Sequence, residues 1–317
     1  MFSSDQINKI GKEISSKVEG KTLFDNFSRG RYSTDASVYQ IKPLGVILPK
    51  DTNDVLSIMD YSQRNSIPLL ARGGGSSQCG QTVGESVVLD YSKHQNKIVE
   101  LNVEAKDVWV EPGVVLDHLN EYLKPYGLWF PVDVSTSSRA TIGGMSANNS
   151  CGSRSLYYGN MVHNVLAIEA ILDDGSIFTF DQIKKNYLEK KNNQDRLYKI
   201  IDKFIDVRQK VASDIRDNWP TTQRRVGGYN IDLIDPNGFN SSNLLVGSEG
   251  TLSLFNKINL KLSEIPKNKI LGVCYFDNFH QAMELAKEIV KLKPTCVELM
   301  DQNLLNLYYI LQPFFEL

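Results

Sequence analysis

Cysteine is scarce in this sequence: Cys79, Cys151, Cys274 and Cys296 lie far apart and form no C-x-x-C pair. That dispersal excludes a zinc or iron–sulfur ligand set made by this chain alone and fits small buried or loop thiols. Histidine is equally sparse, and His94, His118, His163 and His280 do not cluster. Each reads as a structural or surface residue rather than a base. No apolar stretch approaches the ~20 residues needed to cross a bilayer, and the N-terminus has no signal-type apolar core. Charge of one sign is missing too, since 35 Lys plus Arg face 37 Asp plus Glu for a net charge of -2. Such a balance leaves no electrostatic footprint for nucleic acid or an anionic membrane. Lys184, Lys185, Lys190 and Lys191 sit among polar residues and read as a solvated face. The expected location is cytoplasmic, with docking at the periphery of the inner membrane left open.

What is present suits a globular chain of about two domains, with 317 residues, 41% hydrophobic and 23% charged. Ile7, Ile10, Ile14 and Val18 have helical spacing. After a polar lead-in, Arg31 to Tyr39, Gly45 to Leu48 reads as a short buried strand ended by Pro49. Thr52 is placed to cap a helix carrying Val55, Ile58, Met59 and Ser62. Pro68 to Ala71 and Ser86 to Tyr91 are further strands, giving a β-α-β unit with a glycine loop after its second strand. Ile98 to Leu101 and Val108 to Val110 look like antiparallel neighbours, and Val114 to Leu123 like a helix. Val165 to Leu172 and Ile177 to Phe180 flank Asp173-Asp174-Gly175, a hairpin signal. A long amphipathic helix is expected over Gln194 to Asn218. From Ile270 the chain reads strand, helix, strand, helix, with Cys296 to Leu299 as the second strand. That piece leaves an apolar face and sheet edges uncovered and reads as a domain cut short.

Three segments carry chemistry. The first is Arg72-Gly73-Gly74-Gly75-Ser76-Ser77, followed by Gly80 and Gln81. Glycines let several amides turn towards one anion, and the serines and Arg72 add donors and charge, which suits a diphosphate. It is neither a Walker loop nor a dinucleotide G-x-G-x-x-G. The second runs from Pro131 through Thr136 to Thr141-Ile142-Gly143-Gly144 and on to Asn149 and Gly152. Its paired glycines permit close approach of a flat ring, and amides at a short helix start favour an anion. The third is an apolar strand from Asn243 entering the turn Gly247-Ser248-Glu249-Gly250 before a second apolar strand. Taken singly, these also read as a flexible turn, a glycine-rich crossover and a surface hairpin.

Together, RGGGSSQ, TIGGM…NNSCG and VGSEGTL resemble the PCMH-type FAD-binding domain of the vanillyl-alcohol oxidase superfamily, from about Arg31 to Leu317. Within it the chain is similar to the D-lactate, glycolate and D-2-hydroxyglutarate dehydrogenase branch. RYSTDASVYQ and Val297 to Asp301 are similar to a bacterial subgroup with a full cap and an iron–sulfur region further along. The resemblance implies an α+β fold: a lead-in over 1–38, a two-subdomain FAD-binding domain over 39–265, and the start of an α+β, ferredoxin-like cap over 266–317. It implies FAD, with iron–sulfur only if supplied by sequence beyond this chain. Arg72, Gly73, Gly74, Gly75, Ser76, Ser77, Gly80 and Gln81 would hold the pyrophosphate. Pro131, Thr136, Thr141, Gly143, Gly144, Asn149 and Gly152 would line the flavin and ribityl chain. Gly159 and Val165 fall along the adenine end, and Glu249 in the loop closing over the cofactor. Covalent members often carry histidine after the first glycines, where this chain has Ser76 and Ser77, so non-covalent FAD is expected.

The activity implied is oxidation of a small D-2-hydroxyacid by hydride transfer to flavin N5. Electrons would pass to a quinone, a flavoprotein or an iron–sulfur partner. Arg225, Tyr229 and Asn230 are the local candidates on the substrate side, since arginine pairs with a carboxylate through two donors. The family's histidine-rich catalytic segment belongs to the later cap, without counterpart here, so the chain is expected to be catalytically incomplete. The alternatives are an FAD-binding subunit or fragment without independent catalysis and a sugar or aldonolactone oxidase of the same superfamily.

Overall fold

The computed structural model describes residues 2–184, 195–222 and 224–315. Lys185, Lys190, Lys191 and Gln194, the expected start of the long helix, lie outside these residues.

Two sheets, each with its own core, make up the body. The chain opens with α1 (Ser4–Ser15), capped by a reciprocal Ser3–Gln6 box, with Ile7, Ile10 and Ile14 turned inward. β1 (Lys21–Leu23) and α2 (Asn26–Arg31) lead to β2 (Gly45–Leu48), α3 (Thr52–Arg64), β3 (Leu69–Arg72) and β4 (Val87–Asp90). The sheet order is β1-β2-β4-β3, with β2 and β3 parallel to β4 and β1 antiparallel to β2. The α3 cap is Asp51, whose carboxylate accepts from the Asn53 and Asp54 amides, rather than Thr52. Thr52 is already helical, and its hydroxyl instead donates to Asn256 Oδ1 at 2.7 Å. β1 and α2 carried no sequence signal, because β1 is only three residues long and α2 has no apolar period.

The second sheet is antiparallel. β5 (Ile98–Asn102), β6 (Asp107–Val110), β8 (Val165–Ile171), β9 (Ile177–Phe180) and β12 (Leu254–Lys261) lie in the order β5-β6-β12-β8-β9. Between them the chain adds α4 (Leu116–Leu123), β7 (Leu128–Trp129), α5 (Ile142–Asn148), α6 (Ser155–Tyr158) and α7 (Met161–Asn164). Two small antiparallel pairs join β10 (Gln182–Lys184) to β11 (Gly238–Asn240) and β7 to β13 (Ser263–Glu264). This sheet's core holds Val110, Phe130, Ile168, Phe180 and Ile258. The parallel sheet's core holds Ile14, Ile47, Val55, Leu89 and Tyr91, and it also takes in Ile171 and Leu254 from the ends of β8 and β12. Those two side chains form the seam between the sheets.

Three expectations need correction. The long helix is two helices, Arg196–Lys210 and Ala212–Asn218, parted at Val211, whose φ of -102° and ψ of 17° leave the helical range. Asn243 to Val246 is no strand; Ser241–Leu244 form a 3-10 turn, tucked in by the Ser241 hydroxyl donating to Asp181 O at 2.8 Å. From Ile270 on, the helices Phe279–Ile289 and Gln302–Phe315 form as expected, but the strands do not. A strand needs a ladder partner, and Ile270 (99% exposed), Leu271 (87%) and Tyr275 (91%) meet none among the described residues.

Candidate functional site

The three glycine-bearing segments converge on one cleft with a cavity volume of ≈ 370 Å³. The first leaves the carboxyl end of β3, where ligands collect in sheets with parallel strands. Gly75 has φ +63°, a left-handed conformation that a side chain resists. The backbone amides of Gly73, Gly74, Gly75, Ser76 and Ser77 find no protein acceptor among the described residues. A row of free donors on so short a loop is built for an anion. The loop also lies directly on the second segment: a Cβ on Gly73 would meet Thr141 Oγ1 at 2.0 Å, and one on Gly74 would meet Arg139 O at 2.2 Å.

Arg72 has a structural role beside its place on the cleft wall. Its guanidinium donates to three carbonyls, Tyr32 O (3.3 Å), Thr82 O (3.1 Å) and Thr34 O (2.8 Å), and stacks over the Tyr32 ring at 5.2 Å. Tyr32 in turn donates to Asp90 Oδ2 at 2.6 Å, and burial together with that bond pushes its phenol pKa up. Burial draws the Arg72 pKa down, with Asp90 and Asp35 opposing. Arg72 also lines the cleft, while three of its five N–H donors fasten the lead-in segment to the loop.

The second segment is also corrected. Thr141 caps α5 as expected, its hydroxyl accepting from Gly144 N at 3.4 Å. The amides at the helix start are not free, however. Ile142 donates to Val114 O and Gly143 to Pro112 O, both at 2.8 Å, and Met145 to Thr141 O. The Pro112–Val114 turn packed against α5 consumes these donors, which leaves the free amides of the cleft on the first loop.

Thr136, Thr141, Gly143, Gly144, Ser76, Ser77, Gln81 and Glu249 line the cleft with Arg72 and the three glycines. Gly80, Pro131, Asn149, Gly152, Gly159 and Val165 do not. Asn149 is fully buried, its side chain donating to Arg225 O at 3.4 Å and accepting from Val162 N at 3.0 Å. Gly152 lies against Asp133 O, and Val165 O accepts from Asn240 Nδ2 at 2.9 Å.

Glu249 ties the segments together. It sits at φ +54°, donates from its amide to Ala147 O at 3.0 Å, and accepts at Oε1 from Asn148 Nδ2 (3.1 Å) and Gln81 Nε2 (3.4 Å). Sequence reasoning missed several wall residues, among them Tyr91, Cys79, Cys151, Ser253, Leu254 and Phe255. The Tyr91 hydroxyl and Ser253 Oγ are buried and have no hydrogen-bond partner among the described residues. An unpartnered buried hydroxyl costs about 1–3 kcal/mol. Burial holds the Tyr91 phenol pKa up, so it stays protonated and able to donate. An apolar strand end followed by a tyrosine carried no motif that could have pointed to it.

The substrate-side candidates lie off the cleft wall. Arg225 Nη2 donates to Asp232 Oδ2 and its guanidinium stacks on Trp219 at 5.8 Å. Tyr229 shares a hydrogen bond with Thr251 Oγ1 at 2.8 Å, and Asn230 Nδ2 donates to Val246 O at 2.7 Å. No histidine lines the cleft among the described residues. His163 accepts at Nδ1 from Asn160 N at 3.0 Å, and burial lowers its pKa. Among the described residues no group of three or more His, Cys, Asp or Glu could hold a metal, and no helix is long and apolar enough to cross a membrane.

Free amides beside a tight glycine approach, an open wall and unpartnered hydroxyls fit a flavin dinucleotide, and the comparisons agree. Residues 43–181 match the family described as FAD binding domain. That segment, similar to an FAD binding domain, spans the parallel-stranded sheet and part of the antiparallel one in a mixed α+β fold. It is 34% identical to D-2-hydroxyglutarate dehydrogenase of Escherichia coli across 91% of its own length and 29% of that protein's. To glycolate oxidase subunit GlcD of Bacillus subtilis it is 29% identical, covering 93% of this chain and 54% of that one. A solved structure of alkyldihydroxyacetonephosphate synthase shares the fold, with a TM-score of 0.62 at 16% identity over 91% of this chain and 50% of the other. The chain thus spans about 29% of the length of the D-2-hydroxyglutarate dehydrogenases it matches.

Proposed function

We propose that this chain is the FAD-binding part of a dehydrogenase that oxidises a D-2-hydroxyacid of the D-lactate, glycolate or D-2-hydroxyglutarate type. The observation that carries the reading is the row of free amides from Gly73 to Ser77 pressed against Arg139–Thr141, in a chain whose relatives bear those enzymes' names. FAD supplies the hydride acceptor at N5. The chain's own residues do the holding. The amides of the first loop grip the pyrophosphate, while Thr136, Thr141, Gly143 and Gly144 form the wall along the cofactor. Glu249 fastens the third segment across the cleft through Gln81 and Asn148. Arg225, Tyr229 and Asn230 lie off the cleft wall, so a substrate carboxylate would have to draw Arg225 away from Asp232. The acceptor of the electrons is a quinone, a flavoprotein or an iron–sulfur partner, and the setting is the cytoplasm or the inner-membrane periphery.

A second reading, an FAD-binding unit without catalysis of its own, is favoured by the neutralised Arg225 and the lack of histidine on the described cleft wall. The test is anaerobic mixing of the FAD-loaded chain with D-lactate, glycolate and D-2-hydroxyglutarate while following flavin absorbance. Fast bleaching by one of them supports the dehydrogenase; no bleaching by any leaves the second reading.

A further inference from the structure

We propose that Ser33–Ile41 is a strap whose docking on the first loop is coupled to the binding of an anion by that loop, so that each event strengthens the other.

The strap closes on itself, since Thr34 bridges Gln40 and Ile41 N donates to Ser33 O at 2.8 Å. Among the described residues, every hydrogen bond by which Thr34–Gln40 reach outside the strap goes to Arg72, Gly75 or Thr82. Arg72 Nη2 donates to Thr34 O at 2.8 Å, Ala36 N to Gly75 O at 3.2 Å, and Thr82 Oγ1 to Asp35 Oδ2 at 2.9 Å. Tyr39 lies on Gly80, where an added Cβ would meet its ring at 2.5 Å. Outside its own stem the strap is thus anchored to the segment that carries the free amides. None of Thr34–Gln40 lines the cleft, so the strap holds the loop without entering the site.

One peptide unit joins the two events. Gly75 O and Ser76 N belong to the same planar trans unit and point in opposite directions. With the carbonyl turned to Ala36, the Ser76 amide, which has no protein acceptor among the described residues, is turned away from the strap. Docking the strap therefore holds that amide in one orientation, and an anion on the amide holds the carbonyl towards Ala36. Arg72 is a second shared group, since it lines the cleft while gripping Thr34. Such coupling is reciprocal: FAD must steady the strap by the same factor by which the strap improves FAD affinity. The inference rests on the placement of the pyrophosphate at Gly73–Ser77, which Gly74→Val tests separately.

Asp35→Ala and Tyr39→Ala loosen the strap at two points, and neither residue lines the cleft. Hydrogen exchange of the unaltered chain would be followed by mass spectrometry with and without saturating FAD or ADP, which share the diphosphate. Each should slow exchange over residues 33–41 roughly tenfold, while the exposed Val103–Lys106 turn, away from the cleft wall, exchanges as before. The double variant should bind FAD weaker by about that same factor, with unchanged circular dichroism, and FAD should no longer slow its strap. Bound FAD that leaves exchange over 33–41 unchanged overturns the proposal, as does equal slowing of the Val103–Lys106 turn. If Gly74→Val abolishes FAD binding while the double variant binds as tightly as the unaltered chain, only this proposal falls. If Gly74→Val binds FAD normally, the pyrophosphate placement falls with it.

Discussion

Arg225 and Asp232 are joined by a 2.7 Å bond from Nη2 to Oδ2, and the carboxylate side chain is only 12% exposed. The pair pins the Arg224–Asn230 stretch, which carries the cleft residue Val226. Removing the guanidinium leaves a mostly buried carboxylate without its cation, at a cost of about 1–3 kcal/mol. Arg225→Ala should therefore melt lower, and Arg225→Ala combined with Asp232→Ala should recover part of the loss. Affinity for FAD should stay within about threefold, because the arginine does not reach the cleft wall. Thermal melts and flavin titrations of the set check this; an unchanged melt for the single variant would refute the anchoring role.

Gly74→Val should abolish FAD binding. The added side chain would run into Arg139 O at 2.2 Å, forcing the loop off the second segment and scattering its free amides. Fluorescence titration of the apoprotein gives the answer, with circular dichroism confirming that both sheets persist. Undiminished affinity would move the pyrophosphate elsewhere.

The flavin should come away from the protein on acid precipitation and colour the supernatant. Ser76 and Ser77 occupy the loop where covalent members often carry histidine, and no described histidine lines the cleft. Flavin retained in the washed pellet would contradict this.

Alkaline stability should hinge in part on Tyr61, whose hydroxyl donates to Glu13 Oε2 at 2.6 Å and so links α3 to α1. Burial first, and the Glu13 bond next, push its pKa from 10.0 to about 12. A phenol harder to ionise when folded stabilises the protein in full below pH 10.0, and that contribution is lost as pH rises towards about 12. In Tyr61→Phe the melting temperature should fall less steeply across that window than in the unaltered chain. Parallel slopes would show that Tyr61 does not titrate with unfolding.

Much of the fold was legible because each signal was local. Glycine, serine and threonine clusters located the cleft segments, and apolar periods located α1, α3 and α4 together with β2 to β6. What stayed hidden depended on distant partners. That Arg72 also binds the carbonyls of Tyr32, Thr34 and Thr82 had no signal in the sequence, since all three lie far from it or across a turn. The α5 amides read as free until the Pro112–Val114 turn was seen to take them. Ile270 to Tyr275 had strand composition, but composition does not provide a ladder partner. Tyr91 and Ser253 belong to no motif, and only three-dimensional closure leaves their hydroxyls without partners among the described residues.

The cleft draws its walls from both sheets, and each sheet has a separate apolar core joined to the other through Ile171 and Leu254. Bound FAD then acts as a rivet, since neither half can come undone without releasing it. Ligand that binds only the intact fold adds stability that grows with its free concentration. Without FAD the halves should open separately in hydrogen exchange, the parallel sheet and the antiparallel sheet each at its own rate. With FAD present they should share one slower rate, so that cofactor supply decides whether the chain behaves as two folding units or one.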